Sequence, residues 1–94
     1  MPPTDHRTLV ESERFKGELA QIAPNIARWD EVFRGVQWGL CRKPHAVGKP
    51  TAADGIYAVP TDDWPGVPAV VVYYRFDDST VTLLSVILAE TDAP

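Results

Sequence analysis

The sequence predicts an α+β fold in two layers, with a pair of helices covering a β-sheet. Three observations predict it. The stretch AVVVYYRFDDSTVTLLSVILAE (69–90) holds two runs of β-branched and aromatic residues around a polar break at 77–79, which is typical of an antiparallel hairpin. Two earlier segments repeat apolar residues at helical spacing, and a short apolar run at 55–60 precedes the hairpin. The predicted order is a short N-terminal strand, an antiparallel helix hairpin and a three-stranded antiparallel meander (β-α-α-β-β-β), in a single domain of residues 1–94.

The two predicted helices follow a short extended segment at 7–10. Ser12 is a good N-cap for the first helix, in which Phe15, Leu19 and Ile22 share one face. Pro24 should end this helix and open the second. The apolar stripe of the second helix comprises Ile26, Trp29, Phe33, Val36 and Leu40, with Glu31, Arg34 and Gln37 on its polar side.

The segment RKPHAVGKPTAAD (42–54) is predicted to be a loop, because Pro44, Gly48 and Pro50 punctuate it. A strand is predicted at 55–60, a turn-rich connection at 61–68, and polar tails at 1–6 and 91–94. The paired carboxylates at 62–63 and 77–78 are interpreted as turn formers.

Both faces of the predicted hairpin are largely apolar. Such a hairpin should lie in the middle of a sheet with a cover on each side. Strict alternation puts Val70, Val72, Tyr74 and Phe76 on one face of its first strand. The same rule groups Thr82, Leu84, Val86 and Leu88 on the second. The predicted core between helices and sheet comprises Phe15, Leu19, Trp29, Phe33, Val36, Val72, Tyr74, Leu84 and Val86.

Composition limits the function. The net charge of −4 argues against strong non-specific binding to DNA or RNA and favours a protein partner. No apolar run is long enough to span a membrane, and the N-terminal residues have no apolar signal core. One cysteine, Cys41, cannot form an internal disulfide, which suits the cytoplasm. Cys41 and His45 could form a nucleophile–base pair, but a lone thiol is the favoured interpretation, and we expect no metal and no cofactor.

Several side chains are candidates for binding. Arg42, Lys43, His45 and Lys49 form the only basic cluster in the sequence, which could hold phosphate or an acidic partner, or could be a solvated loop. Trp38 and Trp64 fall outside the apolar stripes and could mark an interface or pack at an edge. Tyr73 and Tyr74 lie on opposite faces of one strand, so one could be a general acid, although core packing is the favoured interpretation.

The chain resembles the RelE/ParE superfamily of bacterial toxins over nearly its whole length. The matching stretches are RTLVESERFKGEL (7–19), CRKPHAVGKP (41–50), GIYAV (55–59) and VVVYYRFDDSTVTLLSVI (70–87). The resemblance implies a toxin held silent by a small antitoxin protein. RelE-like members cut mRNA on the ribosome, whereas ParE-like members poison DNA gyrase.

The resemblance also bears on chemistry. RelE-like cleavage needs cations around the phosphate and an acid or base for the leaving oxygen. Arg42, Lys43 and Lys49 match the first basic group, and Lys49 and Tyr74 are the candidate catalytic residues. Val71 stands where the family carries a strand arginine, and LAETDAP (88–94) has no Arg, His, Lys or Tyr. The sequence therefore predicts a toxin-like protein that acts mainly by binding protein. A ribosome-dependent endonuclease and a non-toxic binding module remain alternatives.

Overall fold

The computed structural model describes residues 7–89, so the predicted tails lie outside the described residues. The elements are, in chain order, β1 (Thr8–Glu11), α1 (Glu13–Ile22), α2 (Ile26–Arg42), α3 (Pro44–Val47), β2 (Lys49–Pro50), β3 (Tyr57–Pro60), β4 (Val70–Phe76) and β5 (Thr80–Leu88). The strand order is β1-β5-β4-β3-β2. The predicted α+β class and the β3–β4–β5 meander are confirmed, but the sheet is mixed, because β1 runs parallel to β5.

The predicted loop at 42–54 is wrong in part, since it contains α3 and β2. The amides of Ala46 and Val47 both donate to the Lys43 carbonyl, which closes a single helical turn. Pro44 suits the first position of that turn, because a helix leaves that N–H unpaired. A turn this short shows no periodicity in the sequence.

The helix starts follow from side-chain caps. The Ser12 hydroxyl accepts from the Phe15 amide at 3.1 Å, as predicted. The prediction that Pro24 opens the second helix is wrong: α2 begins at Ile26, because the Asn25 side chain caps it by accepting from the Arg28 amide. Ile26, in that first turn, is exposed rather than part of the core.

The core lies between the helices and one face of the sheet. Trp29 and Phe33 of α2 stack with ring centroids 4.6 Å apart. The largest fully buried side chains include Phe15 of α1 and Tyr74 of β4. Seven of the nine predicted core residues are buried; Val36 and Leu84 are only partly so. The face that contacts the helices is called the covered face below.

Leu84 is outside the core because β5 carries a bulge. Tyr73 pairs with Ser85 but Tyr74 pairs with Leu83, so Leu84 has no partner on β4. The extra residue reverses the alternation. Val81 and Leu83 before it, and Val86 after it, are all buried on the covered face. Strict alternation therefore assigned the wrong face to the first half of the strand.

Two side chains of the first helical segment hold the bulge. The Ser12 hydroxyl donates to the Leu84 carbonyl at 3.1 Å. Oε1 of Glu18 accepts from the Ser85 hydroxyl at 2.7 Å and from the Val86 amide at 3.1 Å. β1 ends at Glu11, so these side chains replace the strand that would otherwise pair with β5 beyond Leu83.

The hairpin lies in the middle of the sheet, as predicted, but within residues 7–89 the helices cover only one of its faces. The expected second cover is absent from this part of the chain. None of the helices in residues 7–89 has the length and apolar character that a membrane crossing requires.

Candidate functional site

The uncovered side of the sheet, here called the open face, carries a half-exposed apolar strip. The strip comprises Val71 and Tyr73 of β4, and Leu84 and Ile87 of β5. Ile87 is 43% exposed. Tyr73, Leu84 and Ile87 line a groove of about 470 Å³, with Arg14 and the 51–56 loop at its margin. The open face therefore offers apolar surface of the kind that protein partners cover.

Lys49 lies on the same face as this strip. It pairs with Ala58, which pairs with Tyr73 in turn, so the three side chains form one row across the open face. Two strand spacings of about 4.8 Å separate Lys49 from Tyr73. Of the two adjacent tyrosines, Tyr73 is therefore the one that shares a face with Lys49.

Tyr74 lies in the core, on the covered face, with no solvent exposure. Its hydroxyl donates to the Pro44 carbonyl. Burial raises the pKa of Tyr74 to about 12, although a backbone hydrogen bond from Gly48 opposes the rise. A buried phenol of this pKa, already bonded, is poorly placed to donate a proton to a substrate, so the geometry favours the core interpretation.

The backbone at Gly48 lies against the hydroxyl end of the Tyr74 side chain. A Cβ added at Gly48 would collide with the Tyr74 hydroxyl and lie 2.7 Å from the Ala58 carbonyl oxygen. Only glycine fits this close approach. Gly48 therefore positions Lys49, the next residue, at the start of the open-face row.

The residues of the predicted basic cluster do not all belong to one face. Arg42 ends α2 and stacks its guanidinium on the Trp38 ring, 4.3 Å from the centroid. Lys43 and His45 are exposed around α3, and Lys49 begins β2 on the open face. The four basic side chains of the cluster are therefore exposed but lie on more than one surface, a division that the sequence could not show.

The two exposed tryptophans also separate. Trp38, 61% exposed, lies beside the N-terminal strand. Trp64 lies near Arg28 and Glu31 of α2, where Arg28 also donates to the Pro65 carbonyl at 3.0 Å. They belong to different surfaces.

Cys41 and His45 do not form a reactive pair. Cys41 is buried, which raises the pKa of its thiol against the opposing charges of Arg42 and Arg7. His45 is exposed on α3. No group of three metal-ligating side chains occurs within the described part of the chain.

Asp77 has the structural role predicted for it. Its carboxylate accepts from the amides of Ser79 and Thr80, both at 2.8 Å, which closes the β4–β5 turn. These hydrogen bonds, chiefly the one from Ser79, lower the pKa of Asp77. This supports the interpretation of the 77–78 pair as a turn rather than an acid–base pair.

Sequence reasoning missed a second surface, here called the α2–β1 groove. It is a cavity of about 500 Å³ lined by Arg7, Thr8, Leu9, Arg34, Gln37, Trp38 and Cys41. Arg34, Trp38 and Arg42 recur every four residues along α2, a spacing that puts them on one side of the helix. That spacing was a usable signal, but the position of β1 beside α2 was not.

Comparison with known proteins bears on the fold. No protein-family model and no curated protein matches the chain. A chain of the RelBE2 toxin–antitoxin complex from Mycobacterium tuberculosis superposes with a TM-score of 0.66 at 25% identity, covering 89% of this chain and 92% of that one. A chain of the chromosomal ParDE toxin–antitoxin system from P. aeruginosa superposes with a TM-score of 0.69 at 12% identity, covering 93% and 100%. The chain therefore has the toxin-like fold of the RelE/ParE superfamily.

Proposed function

We propose that this chain is the toxin-like component of a bacterial toxin–antitoxin pair that acts in the cytoplasm, mainly by binding protein. The observation that carries the proposal is a fold shared, over about nine tenths of the chain, with chains of two toxin–antitoxin complexes. A cognate antitoxin is the corresponding partner.

The antitoxin segment lies across the open face. Val71, Tyr73, Leu84 and Ile87 form a continuous apolar strip there, and within residues 7–89 nothing covers it. Burying such a strip releases water and supplies most of the binding free energy.

Cations at the margins of the open face orient the partner. Lys49 lies at one end of the row that includes Tyr73, and Arg75 is exposed on the same face of β4. Arg14 borders the groove from α1. An antitoxin segment with an apolar centre and acidic flanks fits this arrangement, because complementary charges steer encounter and fix register.

The open face has few of the side chains that cleavage of RNA would need. Val71 occupies the position where the family carries an arginine, and Tyr74 is turned into the core. Each missing donor around a developing phosphate charge typically costs about 10²-fold or more in rate. We therefore expect no codon-positioned cleavage of mRNA.

The function is tested by inducing the chain alone and together with the product of an adjoining reading frame. The expected result is growth arrest, relieved by co-expression, without new mRNA 5′ ends in primer extension. Arrest with inhibited DNA gyrase supercoiling would identify a gyrase-type target. Sharp codon-positioned cuts would show a ribosome-dependent nuclease instead, and a lack of arrest would leave a non-toxic binding module.

The open face is tested with two matched isoleucine substitutions. Ile87→Arg puts a charge into the apolar strip, whereas Ile26→Arg makes the same change on α2, at a residue of similar exposure (48% against 43%). Ile87→Arg should abolish co-purification with the antitoxin, since an unpaired charge would be buried at the interface. Ile26→Arg should leave co-purification intact. Equal loss in both variants, or loss in neither, would contradict an open-face interface.

A further inference from the structure

The α2–β1 groove gathers three arginines around an apolar floor in an otherwise acidic chain. Leu9, Cys41 and the Trp38 ring provide the floor, and Arg7 and Arg34 border it. The third arginine, Arg42, lies against Trp38. This concentration of positive charge stands out against a net charge of −4.

Two of the three guanidiniums are held in place. The Arg7 side chain donates to the Asp77 carbonyl at 2.6 Å and to the Arg42 carbonyl at 3.3 Å. The Arg42 guanidinium is stacked on Trp38. Arg34 forms no ion pair with any residue in 7–89, so its charge is available to a ligand. Ordered cations lose less conformational entropy when they bind an anion.

One wall of the groove is the edge of β1 that pairs with no other strand of residues 7–89. The amides of Thr8 and Ser12 donate to Ser79 and Leu83, on the β5 side. Because strand backbone groups alternate in direction, those of Leu9 and Glu11 point to the opposite edge. The Arg7 amide follows this alternation and donates to Cys41 of α2. An extended chain lying beside β1 would meet the backbone groups of Leu9 and Glu11.

The charge changes sign along the groove. Next to the arginine end, sharing Leu9 and Gln37, lies a second cavity of about 440 Å³ bordered by Glu11, Asp30 and Lys16. A nucleic-acid backbone has regularly repeated negative charge and would be repelled by Glu11 and Asp30. A peptide can place carboxylates at the arginine end only.

We propose that the α2–β1 groove binds an extended segment of a partner protein, with its acidic side chains against Arg7, Arg34 and Arg42 and an apolar side chain on Trp38. The groove lies along the β1 edge of the sheet, so this interaction is independent of the open face. It would persist in the Ile87→Arg variant.

The test is an NMR titration of the ¹⁵N-labelled full chain, observed at the indole N–H signals of its three tryptophans. The probes are an acetylated octapeptide in which leucine alternates with glutamate in the first half and with serine in the second, the same peptide with lysine in place of glutamate, and a thymidine DNA octamer. The glutamate peptide should shift the Trp38 signal saturably and leave Trp64 unchanged, since Trp64 lies on another surface. The other two probes should bind at least about tenfold more weakly.

Two matched variants test whether the positive charge that binds the peptide is the one at the arginine end of the groove. Arg34→Glu should weaken binding of the glutamate peptide about tenfold. Arg28→Glu, the same change beside Trp64, should weaken it less than about twofold, since salt screens distant charges. Retention of the wild-type amide spectrum shows that each variant is folded. The proposal is overturned by the absence of a saturable Trp38 shift, by equal shifts at Trp38 and Trp64, by tighter binding of the DNA octamer, or by equal effects of the two variants.

Discussion

The two faces of the β4–β5 hairpin are built from alternate residues of the same strands, yet they differ sharply. On the covered face, Val72 and Tyr74 have no exposure at all, and Val86 has 1%. On the open face, the neighbouring Val71, Tyr73 and Leu84 are only half-buried. Both sets are apolar, so hydropathy does not distinguish them. The difference comes from the helices, which within residues 7–89 cover one side only. The covered face therefore stabilises the fold, and the open face is the surface on which the proposed partner would bind.

The largest expected contrast is in stability. Phe33→Ala removes a ring that is stacked on Trp29 and 2% exposed, so it should lower the free energy of unfolding by about 3–5 kcal/mol. Leu84→Ala, on the open face, should cost less, about 1–2 kcal/mol, because its side chain is only partly buried and its removal leaves no enclosed cavity. Urea denaturation followed by tryptophan fluorescence measures both. Equal costs would mean that the open face is packed in solution.

A smaller loss of stability is expected at Gly48, where backbone rather than a helix packs against Tyr74 on the covered face. Gly48→Ala should destabilise the fold by about 1–3 kcal/mol, since the added methyl group collides with the Tyr74 hydroxyl and the Ala58 carbonyl. Gly35→Ala is the matched control: apart from its chain neighbours and the backbone of its own helix, no atom lies within 4 Å of the added methyl group. In the interior of α2, that substitution should stabilise by about 0.5–1 kcal/mol. Thermal unfolding distinguishes the two. A Gly48→Ala variant as stable as the wild type would show that the Tyr74 contact is loose.

The sequence was sufficient for features that depend on local periodicity. The helical repeat of Phe15 and Leu19, and the hydroxyl cap at Ser12, are properties of nearby residues, and the structure contains both. The single turn at Pro44–Val47 was missed because one turn has no repeat. The position of Leu84 was missed because the bulge is held by Glu18 and Ser12, far away in the sequence.

The candidate sites divide in the same way. Alternation along β4 separates Tyr73 from Tyr74, so their opposite faces were predictable from the sequence. Which face the helices cover was not, and neither was the strand pairing that puts Lys49, Ala58 and Tyr73 in one row. The α2–β1 groove could not be predicted, because it exists only once β1 has paired in parallel with β5.

The smallest expected effect is at the β5 bulge, which places Leu84 on the open face. Glu18→Gln keeps an oxygen acceptor for Ser85 and Val86 but removes the charge that strengthens both hydrogen bonds. It should cost about 1 kcal/mol at pH 7. Glu13→Gln is the control, since Glu13 makes only a surface ion pair with Lys16 and should cost less than about 0.5 kcal/mol.

The pH dependence of that cost identifies the charge as its cause. In the folded chain, the pKa of Glu18 lies below its ordinary value of 4.5. The hydrogen bond from the Ser85 hydroxyl is the main cause and the one from the Val86 amide adds to it, whereas burial acts in the opposite direction. A carboxyl whose pKa is lower in the folded state stabilises the fold above its unfolded pKa, and this contribution disappears as the pH falls through the folded pKa. The difference in stability between the wild type and Glu18→Gln should therefore be constant near neutrality and shrink steadily below pH 4.5. Urea denaturation of both proteins from pH 7 to about pH 3 measures it. A difference that persists or grows on acidification would mean that the bulge is held by the shape of the side chain rather than by its charge.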